Sequence, residues 1–131
     1  MNPAEYMELL QLIGDSIGFH AMNAVAILFA YITAIYVVGP KLSRLQLSLV
    51  TILYSFFYFL PSATSLQNIE RSIRVSASFY ERFPDEALIY LGAPVSGELF
   101  VINPAMFAYF LAWVASLVFM RVRTHKRHLS E

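Results

Sequence analysis

The sequence predicts an all-α integral membrane protein: three transmembrane helices plus an external amphipathic helix, with the N-terminus outside and the C-terminus inside. Three observations carry this. Residues 16–40, 45–69 and 99–120 contain no Asp, Glu, Lys or Arg, and each holds a mainly apolar core of about 20 residues, the length an α-helix needs to cross roughly 30 Å of hydrocarbon. The 131-residue chain is 58% hydrophobic, which suits a single membrane domain with short extramembrane parts. Its formal net charge of zero hides a strict segregation. Residues 1–40 hold Glu5, Glu8 and Asp15 but no Lys or Arg, whereas the first connection carries Lys41 and Arg44. The second connection mixes Arg71, Arg74 and Arg82 with five acids, and the tail carries Arg121, Arg123, Lys126 and Arg127. Short loops rich in Lys and Arg stay cytoplasmic, so all four segments agree on one topology.

Taken in order, Asn2-Pro3 reads as an N-cap followed by a first-position proline, with Glu5 placed where the helix dipole favours an acid. A short helix over 3–13 leads through Gly14 and Gly18, which are expected to bend it, into a first span at about 17–38. The acidic start without a basic leader reads as an uncleaved anchor rather than a signal peptide. Gly39-Pro40 terminates the span, and 39–44 forms a tight cytoplasmic turn.

A second span covers about 45–65. Its outer end is aromatic, with Tyr54, Phe56, Phe57, Tyr58 and Phe59 read as lipid-facing or interfacial residues. Pro61 would kink this helix, which is expected to continue through it or to restart at once. Beyond it, Leu66, Ile69, Ile73, Ala77 and Tyr80 recur every three or four residues opposite a charged side, which marks an amphipathic helix ended by Phe83-Pro84. Residues 87–91 and 99–102, around Gly92-Ala93-Pro94, are read as a small hairpin within an external segment 66–102. Asn103-Pro104 opens the third span, about 103–122, and residues 123–131 form a cytoplasmic tail.

Each span has one small or polar face. On the second, Ser48, Thr51, Ser55, Tyr58, Ser62 and Ser65 fall within an arc of about 100°. This is either a packing seam or the lining of a pore in an oligomer. On the first, Ala26, Ala30 and Ala34 have the four-residue spacing that lets helices approach closely, and Ala108, Ala112 and Ala115 form a similar row on the third. Both rows are expected in the bundle interior, so that Ala30→Leu would overpack it. His20 is the only ionisable side chain, tyrosine aside, inside a span. With Asn23 one turn away it forms a candidate titratable pair, although a neutral imidazole bonded to that amide or to water accounts for it equally. Arg121, Arg123, Lys126 and Arg127 are candidate anchors for lipid head groups.

Several function classes fall away. The chain has no Cys, which excludes disulfides and thiolate chemistry. Metal-ligand pairs, a nucleophile elbow and a phosphate-binding glycine loop are all missing from the sequence, so no cofactor is implied and no catalysis is expected. The basic tail lacks interleaved aromatics and is no nucleic-acid module. The expected partners are the lipid bilayer of a plasma or inner membrane and either further copies of this chain or another membrane protein. The expected role is a non-catalytic self-associating or accessory subunit. The alternative is an oligomeric ion-conducting pore lined by the hydroxyl face, with an acidic outer mouth to concentrate cations.

Overall fold

The structure is a computed structural model that describes the backbone of residues 1–94 and 98–130 and the side chains of residues 1–94 and 104–125. The described backbone is helical apart from short connections. Helix α1 spans Pro3–Val38, a 3-10 turn covers Gly39–Lys41, α2 spans Arg44–Arg82, α3 spans Pro84–Leu91 and α4 spans Glu98–Ser130. Three of these, α1, α2 and α4, are long and apolar enough to cross a membrane.

The starts of the two longest helices are set by their caps. The Asn2 side chain accepts from the Glu5 N–H while the Glu5 carboxylate accepts from the Asn2 N–H, both at 2.9 Å. Ser43 and Gln46 make the same reciprocal pair at α2. Each box satisfies two donors that the first turn would otherwise strand.

Both helices run longer than the sequence pattern suggests. Helix α1 has 36 residues, about 54 Å at 1.5 Å per residue. It passes without interruption through Gly14 and Gly18. The 39 residues of α2 include Pro61 and absorb the whole amphipathic segment. A proline removes one hydrogen bond, here to the Phe57 carbonyl, and the remaining turns hold the helix together across it.

Two expectations fail. The hairpin does not form, because 87–91 lie in α3. Pro84 at its first position, with Asp85 and Glu86 in the first turn, starts a helix more strongly than the apolar run favours a strand. Gly92 ends it at φ +75°, the chain's one positive-φ residue among those described. Residues 95–97 of the proposed turn lie outside the described residues. The third helix does not begin at Asn103-Pro104 either. It starts at Glu98, and Pro104 is its seventh residue, so the helix gives up one backbone hydrogen bond there and continues across it, as at Pro61.

Helices α1 and α2 form a long antiparallel hairpin. Hydrogen-bonded pairs Tyr6–Ser78, Ser16–Asn68, Ile17–Ser65 and Tyr31–Thr51 have residue numbers adding to between 82 and 84, so the register holds along the whole length. Helix α4 packs beside the half nearest the 3-10 turn and α3 closes the other end, which yields two separate cores. In the apolar three-helix half, Ala24, Tyr31, Ile35, Tyr54 and Tyr58 pack with Ile27, Leu28, Tyr109 and Trp113. In the charged two-helix half, Tyr6, Phe79 and Ala87 pack with Leu10, Val75 and Phe83. The Tyr6 and Phe79 rings stack at 5.0 Å between centroids.

The buried line on the end of α2 differs from the expected one. Phe79 is fully buried with Val75 beside it, whereas Ala77 is exposed. Register against α1 decides this, since an apolar stripe one residue round would turn Phe79 toward water.

Candidate functional site

The polar seam between α1, α2 and α4 is the most constructed feature of the apolar half. Hydrocarbon offers no hydrogen-bond partner, so every hydroxyl there must find one within the protein. Thr51 shares a 3.0 Å hydrogen bond with the Tyr31 hydroxyl. Ser55 donates to the Thr51 carbonyl at 2.8 Å and accepts from the Trp113 indole N–H at 3.0 Å. Tyr58 donates to the Tyr109 carbonyl at 2.7 Å. Ser62 donates to the Tyr58 carbonyl of its own helix at 2.7 Å. Tyr109 donates to Ser65, which donates in turn to the Ile17 carbonyl, at 3.1 and 3.5 Å. That last relay ties α4, α2 and α1 in a single line.

Five of the six residues of the predicted face are therefore in the seam. Ser48, nearest the turn, is exposed instead. Among the described residues no buried side-chain nitrogen or oxygen lacks a partner.

The small-residue rows are placed differently from the expectation. Ala26, Ala30 and Ala34 are all exposed, and the residues of α1 that pack inward are Ala24, Tyr31 and Ile35. On α4, Ala108 and Ala115 are exposed and Ala112 half-buried, while Ser116 is buried. Beside Ala24 and Ile35, the interior takes the tyrosines and the tryptophan whose hydroxyl and indole groups are bonded there. Close approach through alanine would leave those groups unbonded in lipid. Ala30→Leu consequently does not overpack this interior. His20 is half-buried and Asn23 exposed, and neither takes part in a described hydrogen bond; His20 meets the Phe19 ring edge-on at 5.4 Å.

Residues outside the predicted face complete the seam. Tyr54 stacks on Tyr31 at 3.8 Å between ring centroids and is hydrogen-bonded to Ser116 at 2.8 Å. Ser116 spends its one proton on the Trp113 carbonyl at 2.6 Å, so Tyr54 is the donor of that pair. Tyr54 and Tyr58 are buried, which corrects their reading as lipid-facing aromatics. Phe56 and Phe57, which have no polar handle, stay exposed. The available signal was the phenol itself, because a tyrosine in mid-span must turn inward to bond its O–H. On α4 the spacing Tyr109, Trp113, Ser116 marks one helical face.

At the opposite end of the bundle Arg123 is more than a lipid anchor. Its Nε and Nη2 donate to the Tyr36 carbonyl at 3.3 and 3.0 Å, and its guanidinium lies 4.5 Å from the Tyr36 ring centre. Helix α1 has no basic residue in its own last turn, so α4 supplies the charge that its C-terminal dipole favours. Arg121 is exposed. The side chains of Lys126 and Arg127 lie outside the described residues.

Chemically, the seam consists of hydroxyls, one indole and backbone carbonyls, each already bonded. Among its described residues there is no carboxylate, amine or imidazole. No family model, curated protein or solved structure matches the chain.

Proposed function

We propose that this chain is a non-catalytic membrane subunit that assembles with copies of itself, or with another membrane protein, through the open face of α1. The observation that carries this reading is an exchange of faces. The hydroxyl face of α2 is bonded inside the chain, while Ala26, Ala30 and Ala34 are left on the outer surface. In lipid, a row of small residues lets a second helix come close enough for dispersion contacts to hold it. His20 and Asn23 lie along the same side and offer polar groups to a neighbour. The charge pattern supports a position in a plasma or inner membrane with the N-terminus outside. The three-helix half is then in the bilayer, and the α1–α2 hairpin with α3 extends beyond it on the outer side.

Two measurements on the cysteine-free chain test this. In mild detergent and in bilayer nanodiscs, Ala30→Cys should cross-link between chains and Ala30→Leu should shift the protein to monomer without loss of helix. A monomer at every concentration, with no cross-linking in native membranes, would overturn the association. Lys126→Cys should react with impermeant reagents only from the cytoplasmic side; labelling from outside would reverse the orientation. The pore alternative predicts robust ion flux in liposomes, abolished by Ser55→Leu while assembly persists. We expect little flux.

A further inference from the structure

We infer that the charged half of the α1–α2 hairpin carries a binding groove for a phosphate-type anion, presented by Arg71, Arg74 and Arg82. Between Arg44 and Arg121 these three are the only cationic residues in the sequence, and all three line a single groove of about 380 Å³. At 100° per residue, 71, 74, 78 and 82 fall within an arc of about 80° on α2. Glu70 and Glu81 share the charged side of α2, but the residues that line the groove include the three arginines and no acid.

The groove also has polar and apolar parts that fit an ester of phosphoric acid. Tyr6 and Ser78 both line it and share a 3.0 Å hydrogen bond. Two hydroxyls in one shared bond use one proton between them, which leaves the second free to donate to an anion. Guanidinium groups bind phosphate oxygens with paired N–H donors, a geometry that a lysine cluster would not offer. Neutralisation from within the protein is slight. Glu70 reaches Arg74 only at 4.0 Å, between side chains more than half exposed. The Glu5 carboxylate is already turned back to the Asn2 N–H. Glu8 lines a different groove, beside Met7 and Tyr90. Leu9 and Val75 add apolar wall.

Arg71 is six residues beyond Ser65, about 9 Å along the helix. If residues 45–65 span the bilayer, this places the near end of the groove at head-group depth, so the anion can be a phospholipid head group as well as a free phosphate. That placement rests on the membrane reading, whereas the anion chemistry does not.

The test uses the full chain purified in neutral detergent. Native mass spectrometry counts bound phosphatidylglycerol against phosphatidylcholine, and calorimetry measures inorganic phosphate and glycerol phosphate. The expected result is retention of one phosphate-bearing anion, weakened about tenfold or more by Arg71→Gln/Arg74→Gln and weakened less by Arg71→Lys/Arg74→Lys, which keeps the charge but loses the paired donors. Lys41→Gln/Arg44→Gln, at the other end of α2, should leave it unchanged. Binding of the lipid alone identifies a head-group site, and binding of inorganic phosphate with similar strength identifies a soluble ligand; either supports the groove. Equal binding by wild type and Arg71→Gln/Arg74→Gln, or equal loss with Lys41→Gln/Arg44→Gln, would overturn it. Because the phosphate measurements are made on detergent-solubilised protein, they stand whether or not the chain self-associates.

Discussion

Ser116 shows how a single hydroxyl sets the direction of its neighbours. Its proton goes to its own helix at the Trp113 carbonyl, so its lone pairs are left for Tyr54, which must donate. Tyr54→Phe therefore removes a bond without stranding a buried proton. Its cost should be small, whereas Ser116→Ala leaves the buried Tyr54 proton without its acceptor and should cost more, about 1–3 kcal/mol; the coupling between the two should be about 0.6 kcal/mol and no more than about 1.7. A double-mutant cycle on unfolding in lipid or detergent measures it. A coupling of several kcal/mol would mean that the seam is a cooperative network whose members cannot be removed singly. Tyr54 and Tyr58 read from the sequence among the lipid-facing or interfacial aromatics of the second span. What placed them was the requirement that each phenol be paired, a constraint on O–H groups that a hydropathy pattern does not carry.

At the scale of the element, the glycines divide by what surrounds them. A Cβ added at Gly14 or Gly18 would meet nothing within 4 Å. Both lie inside an unbroken helix and should gain from alanine. Gly14→Ala and Gly18→Ala should each stabilise the protein by about 0.5–1 kcal/mol, because glycine gives up more backbone freedom on folding. Gly92 is the opposite case. Its φ of +75° and ψ of −160° belong to a region that is essentially glycine's own. Gly92→Ala should cost about 1–3 kcal/mol, and the loss should centre on α3 and on the Tyr80 hydroxyl, which donates to the Gly92 carbonyl at 2.6 Å. Equal effects at all three positions, read as shifts in thermal midpoint, would contradict this division. The amphipathic segment after Pro61 was legible as helix from its three- and four-residue spacing. Whether it continues through Pro61 or restarts just after it was left open by the sequence, since a proline is a local signal for an ending; in the structure the helix is unbroken.

In the whole molecule the two cores respond to different solvents. The half with α4 has a polar seam inside and apolar side chains outside, an arrangement suited to lipid. The far half has an aromatic core of Tyr6, Phe79 and Phe83, with its charges outside, an arrangement suited to water. Removing the central ring of the second core should therefore act locally. Phe79→Ala is expected to cost about 3–5 kcal/mol in that half. It should appear as faster amide exchange over 3–13 and 75–91, with the seam between α2 and α4 still protected. Loss of protection throughout would show that the two halves fold as one cooperative unit.

The sequence by itself determined the three long apolar helices, the tight turn between the first two, the small or polar face on each and the absence of cysteine chemistry. These follow from composition and from spacing along a single helix, both of which are local properties. Only the tertiary structure decided which of those faces turns inward. Ala26, Ala30 and Ala34 and the hydroxyl row of α2 were expected to meet in the interior, and only the hydroxyl row is there, because helical periodicity does not say which face of a helix packs inward. The choice fell to the number of hydroxyl and indole groups that had to be bonded at once. One register between α1, α2 and α4 satisfies Tyr31, Tyr54, Tyr58, Tyr109 and Trp113 together. The same register carries Tyr6 to Phe79, about 30 Å beyond Tyr58 by the rise of the helix. It also sets Tyr6 and Leu9 of α1 against the three arginines that helical spacing already places on one side of α2.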